Sequence, residues 1–120
     1  DRINAPSITI KKRTPLCGSM ITIDLVLKKN KIVNFGQEVK ACALGQASAS
    51  IFSKQILNVN TDQIFKVRSE VLAMLKKNVS NVSEPFNDYN YLSLASEYKN
   101  RHASIMLVLD ATVEAIEKIT

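Results

Sequence analysis

Apolar and polar residues alternate over residues 20–28, and this alternation predicts a half-buried β-strand. The apolar face of this strand carries Ile21, Ile23, Leu25 and Leu27. Residues 32–40 predict a partner strand, whose in-phase apolar positions are Val33, Phe35 and Val39. Lys29 and Asn30 join the two strands, and Asn tolerates the left-handed backbone that a tight hairpin needs. The pattern therefore predicts an antiparallel hairpin.

Helical periodicity replaces this alternation after residue 42. Long helices are predicted over 43–57, 61–76 and 100–118, and a short one over 91–98. Asn60 and Gln63 have the spacing of a capping box at the start of the second helix. The positions expected to face inward on the first helix are Leu44, Ala47, Ile51 and Ile56. Strands followed by helices indicate an α+β fold, with helices packed on one face of a small antiparallel sheet.

Length and composition favour one domain over residues 1–120, because 46% of the 120 residues are apolar. Residues 1–14 are expected to form an irregular arm, in which Ile8 and Ile10 could add a short edge strand. No apolar run reaches the roughly 18 residues that cross a bilayer. The first residues do not resemble a signal peptide. We therefore expect a cytoplasmic protein without a membrane partner.

The net charge of +5 is compatible with an acidic partner surface or nucleic acid, but basic runs are more often solvated loops. The densest basic run is Lys11, Lys12 and Arg13. Aromatic residues do not interleave with the basic ones as they do in RNA-binding sheets. Nucleic acid is therefore not an expected partner.

The chain has two cysteines, and Cys42 lies where the strand pattern gives way to a helix rich in small residues. Amide donors and the helix dipole favour an anion at a helix start, so a thiolate forms there more easily. A small buried cysteine that only packs under the helix is the alternative. Cys17 precedes the first strand of the hairpin and Cys42 follows the second. The hairpin therefore brings both thiols to one end of the sheet.

Three segments of the sequence resemble the NifU-like N-terminal domain, the scaffold family of iron–sulfur cluster assembly. They are Pro15-Leu16-Cys17-Gly18-Ser19, the run from Ala41 to Ser50, and Arg101-His102-Ala103-Ser104-Ile105-Met106-Leu107. The second segment is similar to the family's Gly-Cys-Ala-Ile-Ser-x-Ala-Ser-Ala-Ser, and the third to its Arg-x-Lys-Cys-x-x-Leu. The likeness extends from about Pro15 to Ile119.

The resemblance implies a non-enzymatic NifU/IscU-like scaffold, which receives sulfur from a cysteine desulfurase and passes a transient [2Fe–2S] cluster or iron to acceptor proteins. Zinc is a further candidate metal. Cys17 and Cys42 match the first two cysteines of the family's site. Ser19 stands at the position of the family's aspartate, and Ser104 at that of its third cysteine.

These departures leave a reduced ligand set, because clusters are held mainly by thiolates and a serine hydroxyl is a poor ligand. His102 is the one histidine and a candidate third ligand, and Ser19 and Ser104 are weaker candidates. Three protein ligands with one from outside is a known zinc arrangement. A homodimer could also share a cluster, with two cysteines from each subunit.

Two other functions compete with this interpretation. A relative without cargo could act as a binding or regulatory module for the assembly machinery. An enzyme is disfavoured, since the sequence has no nucleophile elbow and no local signature pairing a thiol with His102.

Overall fold

The computed structural model describes residues 1–15, 18–79 and 81–120. Its strands are β1 (Ile8–Arg13), β2 (Met20–Lys28) and β3 (Lys31–Lys40). Its α-helices are α1 (Ala43–Gln55), α2 (Thr61–Lys77) and α3 (His102–Ile119). Two 3₁₀ segments, Asn87–Glu97 and Lys99–Arg101, precede α3. The predicted α+β class is confirmed, and no described helix is long and apolar enough to cross a membrane.

The sheet has the order β1-β2-β3 and is antiparallel throughout. Lys29 and Asn30 form the predicted tight turn, and both have positive φ angles, of 52° and 62°. This is the backbone that matches the twist of a two-residue hairpin. The arm is less irregular than expected, because residues 8–13 pair along β2 as a complete edge strand.

One residue of β3 faces the other way from the prediction. Leu27 pairs with Ile32 and Val26 with Asn34, so Val33 is an extra residue at a bulge. Ile32 is consequently buried in the core, whereas the side chain of Val33 is 39% exposed. A bulge shifts the inward face by one position, and the alternation pattern does not mark where this happens.

The inward face of α1 also differs from the predicted one. Its buried residues are Gly45, Ser48, Ala49 and Phe52, whereas Leu44, Ala47 and Ile51 are only half-buried. Ser48 is tolerated inside because its hydroxyl donates to the carbonyl of Ile105 at 2.6 Å. Its own carbonyl accepts from the Tyr89 hydroxyl at 2.9 Å. Burial raises the pKa of Tyr89, so the ring stays neutral and keeps that donor.

α3 is the central helix and is enclosed on most sides rather than along one stripe. It contacts β1 and β2 on one side and α1 and α2 on others. α2 packs an apolar stripe inward and begins with the predicted capping box between Asn60 and Gln63. The core therefore lies around α3, between the sheet and α2.

Residues before β1 cover the face of the sheet that points away from the helices. Asp24 is fully buried there, and the guanidinium of Arg2 donates to its two oxygens at 2.6 and 3.0 Å. Gly36 pairs with Asp24 in the ladder. A Cβ on Gly36 would lie 2.4 Å from the carbonyl oxygen of Asp1, so a side chain there would displace the covering segment.

Candidate functional site

Cys42 is the N-cap residue of α1 and has extended backbone angles, with φ −66° and ψ 171°. Its carbonyl accepts the first helical hydrogen bond from the amide of Gln46 at 2.9 Å. The side chain is partly exposed and lines an open cleft of about 460 Å³. The thiol is therefore reachable from solvent, which disfavours a purely packing role.

The cleft lies at the end of the β2–β3 hairpin. Met20 pairs with Lys40, and this pairing brings Gly18 and Ser19 beside Ala41 and Cys42. Gly18 has a φ of +70°, a backbone conformation that a residue without a Cβ adopts without strain. Cys17 lies outside the described residues, so its place in the cleft stays a prediction.

Ser19 and Ser104 meet beside this cleft. Their hydroxyl oxygens are 2.8 Å apart, and their side chains are only 3% and 2% exposed. Ser19 immediately precedes β2, and Ser104 lies in the first turn of α3. The two positions that resemble ligand positions of the family are thus adjacent, and here they hydrogen-bond to each other.

Thr14 fixes the Ser19 side of the site, although no sequence pattern singles it out. Its amide donates to the carbonyl of Ser19 at 2.9 Å, and its side-chain oxygen accepts from the amide of Ser19 at 3.2 Å. Both contacts hold the two ends of the loop between β1 and β2 together. No periodicity or motif predicts such a contact, because it depends on where the loop closes.

The surroundings of the Cys42 sulfur favour its thiolate. Partial burial opposes ionisation, but the amide of Gly45, the hydroxyl of Ser104 and the amide of Leu44 outweigh it. The charge of Arg101 acts in the same direction, so the pKa of Cys42 lies below its ordinary value. Cys42 makes no regular side-chain capping hydrogen bond to α1. The amides of Leu44 and Gly45 nevertheless lower the pKa of its thiol, because both are donors at the start of the helix.

Gly45 allows α1 and α3 to approach closely at the site. A Cβ on Gly45 would lie 2.8 Å from the Cβ of Ala41 and 3.3 Å from the Cβ of Ser104. The resembling family motif has Gly and Ser where this chain has Ala41 and Gly45. The glycine is thus at position 45 in this chain and at the position of Ala41 in the family motif. Because a Cβ at position 45 would lie too close to the Cβ of Ala41, only one of the two positions can carry a side chain.

His102 is the candidate ligand that the structure places elsewhere. Its Nε2 lies 3.2 Å from the carbonyl oxygen of Ala95 and 3.1 Å from that of Ser96. Because both partners are acceptors, Nε2 carries a hydrogen and is not available to a metal. The ring lines a groove between α2 and α3 instead of the Cys42 cleft. Two positions along a helix turn a side chain to a different face, which separates His102 from Ser104.

The described side chains alone do not fit a metal or cluster bound entirely by this chain. Within residues 1–15, 18–79 and 81–120, no three His, Cys, Asp or Glu side chains come together in a way that could hold a metal ion. The hydroxyls of Ser19 and Ser104 are directed at each other. Cys42 is the described thiolate donor of the cleft. Any further soft ligand must come from Cys17 or from outside the chain.

Comparison with known proteins identifies relatives of the whole fold. A nitrogen-fixing NifU-like protein (N-terminal) from Brucella abortus has a TM-score of 0.96 and 34% sequence identity, over 99% of this chain and 83% of that one. A hypothetical protein has a TM-score of 0.88 and 15% identity, over 98% and 85% of the two chains.

A protein described as an iron–sulfur cluster assembly scaffold for the SUF system, from Fervidobacterium islandicum AW-1, has a TM-score of 0.82 and 20% identity, over 96% and 84% of the two chains. At this identity, the likeness to the last two structures shows the fold alone. No family profile and no curated protein sequence matches the chain. The Brucella structure is similar enough in sequence to show the family, and the chain belongs to the NifU-like N-terminal family, as its sequence motifs predict.

Proposed function

We propose that this chain is a scaffold of iron–sulfur cluster assembly that holds its cargo through two thiolates, Cys17 and Cys42. The observation that carries this proposal is the register of the hairpin. Met20 pairs with Lys40, so the segments on either side of the hairpin flank one open cleft that Cys42 lines. Iron or a [2Fe–2S] cluster is the proposed cargo, and zinc is the alternative.

The remaining ligands come from outside the chain in this proposal. Two thiolates leave a tetrahedral metal with open positions, and a cluster with half of the usual four cysteine ligands. A second copy of the chain would supply the missing pair in a homodimer. A cleft that is open to solvent is compatible with a ligand arriving from a partner.

The proposed partners are a cysteine desulfurase, as the sulfur source, and the acceptor proteins that take the cluster. Ser104 has no sulfur and cannot carry a persulfide, so sulfur would be received by one of the two cysteines. Free thiols also need a reducing compartment such as the cytoplasm. The likeness to a described SUF scaffold supports this assignment at the level of the fold.

The test is anaerobic reconstitution with iron and sulfide, followed by visible absorption and metal analysis. We expect the native chain to acquire a cluster or metal, and the Cys17→Ser and Cys42→Ser variants to lose most of it. Ser50→Ala, a change on the exposed side of α1, is the control and should behave as the native chain. A ratio of one cluster to two chains would support sharing between subunits. Absence of iron, cluster and zinc at every protein concentration would contradict the proposal.

A binding module without cargo is the second candidate, and the contact between Ser19 and Ser104 is what favours it. Two buried hydroxyls that are hydrogen-bonded inside the fold need no metal to be stable. Such a module would bind the assembly machinery equally well with and without metal. Size-exclusion chromatography of metal-free chain mixed with a cysteine desulfurase tests this, and complex formation that requires metal would exclude it.

A further inference from the structure

A groove of about 520 Å³ lies between α2 and α3, on the His102 side of the molecule. Its size is within the range of ligand-binding pockets, which is about 300–1,000 Å³. The groove is larger than the Cys42 cleft and shares none of its lining residues. It is therefore a separate candidate site that the proposed scaffold chemistry does not use.

The lining of the groove combines an apolar floor with positive charge. Leu75 and Met106 are buried in the floor, and Leu72 is half-buried beside them. Lys76 and Lys99 are exposed at the groove and form no ion pair with any described residue. Apolar floors give a bound segment its affinity, and unpaired charges at the rim select its partner.

The acidic side chain at the groove is already neutralised. Asp110 accepts a hydrogen bond from the guanidinium of Arg68 at 2.7 Å, so it does not balance the lysines. The whole chain carries a net charge of +5, which also attracts acidic partners. The groove and the whole chain are therefore both positively charged.

We propose that this groove binds an amphipathic acidic peptide segment of a partner protein. Apolar side chains of the segment would occupy the floor between α2 and α3, and its carboxylates would pair with Lys76 and Lys99. Two packed helices with an apolar seam are the usual receptor for such segments. Met106 contributes an adaptable surface, as methionine does at many peptide-binding grooves. The groove and the Cys42 cleft share no lining residue, so a segment in the groove would not occupy the cleft.

The experiment is a selection of random short peptides from a display library on the folded chain. We expect the selected peptides to combine Asp or Glu with large apolar residues. A selected peptide, titrated into isotope-labelled chain, should shift the amide signals of Leu72, Lys76, Lys99 and Met106. Peptides without an acidic bias, or signal changes confined to another surface, would overturn the proposal.

Charge reversal separates this groove from general attraction to a basic protein. The double variant Lys76→Glu/Lys99→Glu should bind the selected peptide about tenfold more weakly or worse, because carboxylates then face carboxylates. The control Lys31→Glu/Lys54→Glu makes the same change in net charge at exposed positions outside the groove and should bind nearly as the native chain. Equal loss in both variants would overturn the proposal. Binding of a small amphiphile such as octanoate in the groove, with no selected peptide bound there, would also overturn it.

Discussion

The hydroxyls of Ser19 and Ser104 lie 2.8 Å apart although the two residues are 85 positions apart in the chain. The resemblance to the NifU-like family places a carboxylate and a thiol at these positions. This chain has replaced both with groups that bond to each other. Compared with the family motif, the site lacks a carboxylate at position 19 and a thiol at position 104, and two substitutions would restore them.

Restoring both side chains should increase the capacity of the site for metal. The double variant Ser19→Asp/Ser104→Cys adds a carboxylate and a thiolate beside Cys42. We expect it to bind iron or zinc at least about tenfold more tightly than the native chain does, because thiolate and carboxylate oxygen are far better ligands than hydroxyl. Metal competition titration measures the affinity. Without metal the variant should be less stable, because position 19 is only 3% exposed and would bury a charge.

The control for this experiment carries the same added groups with the thiol elsewhere. Ser19→Asp/Ser50→Cys places the new cysteine on the exposed side of α1. Because it keeps only the new carboxylate in the cleft, it should gain less affinity than Ser19→Asp/Ser104→Cys. Equal affinities for the two double variants would show that Ser104 does not occupy a ligand position.

Gly45→Ser should destabilise the fold by about 1–3 kcal/mol, because extra atoms in a packed site force neighbours to shift. The new Cβ would lie 2.8 Å from the Cβ of Ala41. Urea denaturation measures the loss. The double variant Ala41→Gly/Gly45→Ser should recover part of it, since it removes that contact but leaves the one with Ser104. A double variant that is as unstable as the sum of its single variants would contradict this explanation.

The lowered pKa of Cys42 predicts rapid alkylation of its thiol at mildly alkaline pH. In a metal-free Cys17→Ser background, the chain has one thiol, and the midpoint of its iodoacetamide labelling rate should lie below that of an ordinary cysteine. Ser104→Ala removes one stabilising hydroxyl and should move the midpoint to higher pH. Ser50→Ala should leave it unchanged. A midpoint that stays fixed in Ser104→Ala would show that this hydroxyl does not act on the sulfur.

The features that the sequence predicts correctly depend on neighbouring residues in the chain, whereas the features that it does not predict depend on tertiary packing. Lys29 and Asn30 form the expected turn, and Asn60 forms the expected cap, because each structure depends on residues next to it in sequence. The approach of Ser19 to Ser104 depends on how α3 packs, which no short pattern records. The position of His102 depends on the same packing, which puts its ring in the groove between α2 and α3 instead of the Cys42 cleft.

Asp24 predicts a pH dependence of stability. The hydrogen bonds from Arg2 are the largest cause that holds the pKa of Asp24 below its usual range. Its carboxylate therefore stabilises the fold above the unfolded pKa of about 3.9, and this contribution is lost as pH falls through the lower, folded pKa. Asp24→Asn should cost about 1.5–3 kcal/mol at neutral pH, the usual worth of hydrogen bonds to a charged group.

Urea denaturation of native and Asp24→Asn chains from neutral to strongly acidic pH measures this contribution. The difference between them should shrink as Asp24 becomes protonated. Glu117→Gln, at an exposed position without an ion pair among the described residues, is the control and should change little. A difference that is constant over the whole pH range would show that the charge of Asp24 is not what matters.

The Cys42 cleft and the serine pair beside it bring together chain segments that are distant in sequence. Ser19 comes from the start of the hairpin, Cys42 from its end and Ser104 from the last helix. An ion held by Cys17 and Cys42 would join the two ends of the hairpin, so loading would raise the melting temperature once the metal concentration exceeds the dissociation constant. Because the Ser104 hydroxyl of α3 helps to lower the pKa of Cys42, a displacement of α3 would make that thiol a weaker metal ligand without moving the hairpin.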